Sequence, residues 1–121
     1  MPERFDGMAQ TFQRGRMIWR GDTHKIYVLE DGGAWACYDD TFDPAEGDHG
    51  PVNPPETGLQ EPRFGFRKVW LEQPGLQDRL GLAVAREEPV RGEVQPWEEK
   101  GQRLRIGDIV YRLNADGTIA L

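Results

Sequence analysis

The chain is poor in the side chains that most often carry chemistry. One cysteine, Cys37, and two histidines, His24 and His49, serve 121 residues. A single thiol excludes an intramolecular disulfide and a zinc site built from cysteines. Neither histidine has a second His, Cys or carboxylate at the short spacing of a zinc-binding helix or knuckle, so both read as surface residues. A GxSxG elbow, an HExxH pair and a phosphate-binding glycine loop are all missing. The expectation is a non-enzymatic protein with no cofactor and no metal.

Long apolar runs are missing as well. No stretch approaches the ~18 residues that cross a bilayer as a helix. The start, MPERFDGMAQ, lacks the charged-then-apolar profile of a signal peptide. No membrane insertion is expected. Positive charge is also short, with 15 Lys and Arg against 21 Asp and Glu and a net charge of -6. That balance repels a phosphate backbone unless the basic residues are segregated, and they are spread along the sequence, so nucleic acid is not an expected partner. Hydrophobic residues make up only 37%, which supplies one thin core for a chain near the commonest single-domain size.

Against these shortages stands a repeated plan. The stretches 8–38 and 94–121 each carry a Gln two residues before an aromatic, Gln10 with Phe12 and Gln95 with Trp97, followed by Arg14-Gly15 or Lys100-Gly101. Further on, Tyr27, Leu29, Gly33, Trp35 and Cys37 align without a gap on Tyr111, Leu113, Gly117, Ile119 and Leu121. Alternation of Ile26 and Val28 with Tyr27 and Leu29 is that of a strand. Asp31-Gly32-Gly33 and Asp116-Gly117 supply the positive φ of tight hairpin turns. Earlier strands over Arg16–Trp19 and Gln102–Ile106 would complete a three-stranded meander in each copy.

Between the copies, residues 39–62 hold five of the nine prolines and many acids. A loop this long in a compact domain is uncommon. Its Asp39, Asp40, Asp43, Glu46 and Asp48 lack the spacing of a calcium-binding helix-loop-helix and read as a solvated acidic face. In 64–83, Phe66, Val69 and Trp70 have helical spacing, Pro74 favours a helix start, and Gly81 is placed to end that helix in the left-handed conformation. Two short helices broken at Gln73-Pro74-Gly75 are expected, covering one sheet face through Phe66, Val69, Trp70, Leu76 and Leu80. The fold class is thus α+β, mainly β: one domain of two small antiparallel meanders related by duplication, with a long loop and two short helices between them.

Most of the Trp and Tyr rings in such strands are core. Trp19, Trp97 and Tyr38 are the candidates for a ligand-stacking face, because exposed aromatics concentrate binding energy. Cys37 alternates with Trp35 and reads as a buried, protonated thiol. In outline, Phe66 to Ala83, Glu87, Gln95-Trp97-Gly101 and Ile109-Val110-Tyr111 with Asp116-Gly117 resemble an LGFP-like repeat module of bacterial secreted and cell-surface proteins. Gln10, Phe12, Gly15, Trp19, Ile26 to Leu29 and Trp35 carry the resemblance in the first copy. It implies a non-catalytic wall-associated module with an extracellular or cell-surface location. Its expected partner is a surface glycan; the alternative is a partner protein engaged through an exposed strand edge.

Overall fold

The computed structural model describes residues 3–41, 59, 62, 64–97, 101–114 and 116–120. Strands β1 (Glu3–Phe12), β2 (Gly15–Arg20), β3 (Lys25–Glu30) and β4 (Trp35–Asp39) precede helices α1 (Phe64–Glu72) and α2 (Leu76–Leu80). Strands β5 (Glu88–Trp97), β6 (Gly101–Ile106), β7 (Ile109–Asn114) and β8 (Ile119–Ala120) follow. All eight form one antiparallel sheet in the order β4-β3-β2-β1-β5-β6-β7-β8. Each half is therefore a meander of four strands, not three. The first begins at Glu3 and the second at Glu88, upstream of the bounds expected from sequence.

The halves pair their strands in the same register. Phe12 stands opposite Gly15 as Trp97 does opposite Gly101, and Leu29 opposite Trp35 as Leu113 does opposite Ile119. They join along β1 and β5, where Asp6 faces Arg91. The sheet also curls until its outer ends touch: Ala34 bridges Thr118, the Trp35 N–H donates to the Gly117 carbonyl at 2.9 Å, and the Ile119 N–H to that of Gly33 at 2.7 Å.

Strand β5 contains Pro89 and Pro96, residues normally kept out of interior strands because they lack an N–H donor. The stagger accommodates them. Strand β5 pairs with β1 from Glu88 to Val94 and with β6 from Gly92 to Trp97. Each proline thus lies where the strand has a neighbour on one side only.

The curl gives the sheet two buried surfaces. The concave face gathers Phe5, Ala9, Ile18, Tyr27, Leu29, Val94, Leu104, Ile106 and Leu113 from both halves. Gly92 is required there, since a Cβ at this position would collide with the Phe5 ring and the Ile106 side chain. Two tyrosines tie the halves together: the Tyr27 hydroxyl donates to Gln102 Oε1 at 2.8 Å, and Arg16 Nη1 donates to the Tyr111 hydroxyl at 3.3 Å. On the convex face of the first half, Phe66, Val69, Trp70, Leu76 and Leu80 of the helices pack on Phe12, Met17, Ile26 and Val28. Each such side chain contributes about 1.5–3 kcal/mol by leaving water. Helix α2 starts at Leu76, after Gly75 in the left-handed conformation, rather than at Pro74. Gly81 ends it with a positive φ of 76°, but its ψ of -153° lies outside the left-handed helical region expected.

Candidate functional site

A recess of about 990 Å³ opens over the junction of β1 and β5, between the β2–β3 turn at Gly21 and Asp22 and the β6–β7 turn at Gly107. Alternation along β1 and β5 sets what lines it. Phe5 and Gly92 belong to the concave set, while Asp6, Met8, Arg91 and Glu93 come from the alternate positions. Trp19, one strand over and opposite Met8, forms an aromatic wall. Its ring is half-buried and stacks on His24 at 5.7 Å between centroids, 30° from parallel. His24 holds its place through a left-handed backbone, φ 57°, in the β2–β3 turn.

Charges of both signs rim the recess. Arg4 Nε lies 3.2 Å from Glu93 Oε1, and Arg91 Nε lies 3.5 Å from Asp6 Oδ1. The second pair is almost wholly exposed, at 94% and 89%, so it adds little stability and its groups can exchange partners cheaply. One wall is firmer. Arg20 is buried behind it, lying 5.0 Å above the Phe5 ring and donating to Asp22 at 2.6 Å and Glu3 at 3.2 Å. Burial disfavours its charge, but hydrogen bonds to Asp22, Tyr27 and Glu3 outweigh that and raise its pKa. The same bond from Arg20 holds the Asp22 carboxyl below the ordinary range.

Of the sequence candidates, Trp19 lines the recess. Tyr38 does not: it shares a cross-strand row with Ile26 and Trp19, and both it and Trp19 pack against the helix-covered cluster, but only Trp19 also lines the recess. The Trp97 side chain lies outside the described residues. Its backbone ends β5, eight residues beyond Pro89, which stands opposite Met8. At about 3.3 Å per residue that places its backbone roughly 26 Å along the strand from the Trp19 row.

Cys37 joins the concave cluster, half-buried, whereas His24 stacks on Trp19 on the convex face. The sheet separates the two groups of a thiol–imidazole pair. Burial pushes the Cys37 thiol up, with Lys25 opposing. Among the described residues no group of three His, Cys, Asp or Glu could hold a metal ion, and no helix is long and apolar enough to cross a membrane. Asp43, Glu46, Asp48 and His49 lie outside the described residues.

Sequence reasoning missed Arg4, Asp6, Arg91 and Glu93, because the strands that carry them were not recognised. A signal existed: Glu3–Phe12 and Glu88–Trp97 share the Gln-x-aromatic ending already seen in the repeat. No protein-family model, curated protein or solved structure matches the chain.

Proposed function

We propose that the protein is a non-catalytic binding module whose recess at the β1–β5 junction takes a polar, ring-containing ligand, foremost a cell-wall or surface glycan. The observation that carries this reading is the half-buried Trp19 ring set in the wall of a wide recess rimmed by Arg4, Asp6, Arg91 and Glu93. An aromatic face takes the apolar side of a sugar ring, and the exposed donors and acceptors around it can turn to the hydroxyls. The LGFP-like resemblance and the surface location that it implies support the same reading.

Tryptophan fluorescence of the chain and of Trp19→Phe, titrated with saccharides and muropeptides, tests it. A saturable change in the parent that is absent from the variant is expected. No response to any of these ligands overturns it.

Equal lengths of the first three strands in each half, and their matching registers, support an origin by duplication. A second reading has its own observation. Among the described residues, strand β4 has β3 on one side and meets the far end of the sheet only at its start, through Ala34 and Trp35. The remaining edge could accept a strand from a partner protein. A mass above 13.8 kDa by light scattering favours self-association through it, and a strict monomer at high concentration counts against it.

A further inference from the structure

We infer that the ligand is a sugar ring carrying a dipolar amino-acid group, with the ring on the Trp19 side of the recess and the ammonium and carboxylate on the Arg105 side. This rests on the glycan reading and adds what the ring is joined to. The two halves are related as the subunits of a two-fold dimer are, where a contact from one subunit to the other is always returned. Asp6 and Arg91 hold the same place in β1 and β5 and face each other, so the axis passes between them. Contacts away from the axis are exchanged in the same way. Arg16 and Gln102 are the second residues of β2 and β6, and Tyr27 and Tyr111 the third of β3 and β7. Tyr27 meets Gln102 as Tyr111 meets Arg16, and Trp35 meets Gly117 as Ile119 meets Gly33.

The recess lies on this axis, so its two sides would be alike if the halves were. They are not. Met8 and Trp19 on one side stand where Glu93 and Arg105 stand on the other. One side offers an apolar surface, the other two charges of opposite sign. The turns beside them differ likewise. Asp22 is paired with Arg20 at 2.6 Å, whereas Asp108, at the same place in its own turn, follows Ile106 in the position of Arg20. Among the described residues neither the Asp108 carboxylate nor the Nη groups of Arg105 have a partner, the Arg105 Nε donating to the Gly107 carbonyl at 3.0 Å. A groove of about 320 Å³ includes Glu93, Arg105 and Asp108 in its lining and shares the first two with the recess. Its volume is at the small end of ligand pockets and that of the recess at the large end, so the groove suits a group the size of an amino acid and the recess a ring. Recess and groove together are lined by four arginines and four carboxylates, a balance that favours neither a polyanion nor a polycation. A ligand with one charge of each sign uses both, its carboxylate on the Arg105 fork and its ammonium on Asp108.

Calorimetric titration of the full chain tests the inference with N-acetylglucosaminyl-asparagine, its amine-acetylated and carboxamide forms, N-acetylglucosamine alone and asparagine alone. The glycosyl-asparagine is expected to bind about tenfold tighter than the free sugar and to lose most of that margin when either end is blocked. In Arg105→Gln the penalty for blocking the carboxylate should vanish while that for blocking the amine stays, and in Asp108→Asn the reverse. Both changes are at exposed positions, and unchanged melting temperatures would show that the fold is intact. A muramoyl tripeptide ending in lysine carries its ammonium and carboxylate on another ring carbon; the tighter of the two conjugates names the source, a wall fragment or a glycoprotein. Equal binding of the free sugar and both conjugates, or penalties unchanged in both variants, overturns the inference while leaving the glycan reading standing. Asparagine binding as tightly as its glycoside overturns it as well, because the ring then adds nothing. Binding of none of the probes removes both readings.

Discussion

Arg20 shows how one residue couples the recess wall to the core. Its guanidinium sits on Phe5 and is fixed by Asp22 and Glu3, so the Asp22 carboxyl is stabilised in its charged form. A carboxyl with a depressed folded pKa contributes stability above its unfolded value of about 3.9, and the contribution is lost as pH falls through the folded value. Urea melts from neutral pH into the acid range should show stability falling below about pH 4, with a flatter acid limb in Asp22→Asn. Parallel limbs would show that the ion pair is not felt by the fold. Cys37 gives a second residue-scale test. With its thiol held protonated and half-buried, alkylation at neutral pH should run much slower in the native protein than in urea; equal rates would place the thiol in solvent. Gly92→Val should cost about 1–3 kcal/mol by overpacking against Phe5 and Ile106, read from denaturant midpoints.

At the scale of elements, the helical pair is a lid on an apolar strip. Leu80 is fully buried, and Leu80→Ala should cost about 2–5 kcal/mol. Trp70→Phe keeps most of the ring but loses the 3.0 Å bond from Nε1 to the Gly81 carbonyl, worth about 1 kcal/mol. A neutral Leu80→Ala would mean that the lid is not part of the cooperative core. Both helices, the inner strands β2, β3, β6 and β7, and the turns at Gly33 and Gly117 were legible from spacing, because each has a clear period or a glycine where positive φ is needed. Strands β1 and β5 were not. ERFDGMAQTF and EPVRGEVQPW put charges on the convex positions and small residues, Gly7, Ala9 and Gly92, among the concave ones, which erases the apolar alternation that marks a strand. Two prolines then argue against β5 altogether, and only the stagger of its neighbours reconciles them. Because the recess lies along these two strands, Trp19 was the one part of it that the sequence offered.

On the scale of the whole molecule, neither half closes the concave core alone. The concave cluster draws on both, and the Tyr27–Gln102 and Arg16–Tyr111 bonds cross between them. Thermal unfolding should therefore be a single transition, coincident by tryptophan fluorescence and far-ultraviolet circular dichroism; two separated steps would mean that the halves are independent. The same two-part construction leaves the convex face of the first half roofed by helices, with the recess at the border of the two halves. The most direct test of that recess as the binding site is a ¹H–¹⁵N titration of the protein with cell-wall oligosaccharides. The shifted signals should be the Trp19 indole and the amides of Arg4, Met8, Arg91 and Glu93, saturating together. Shifts clustered on the β4 edge, or none anywhere, would contradict it.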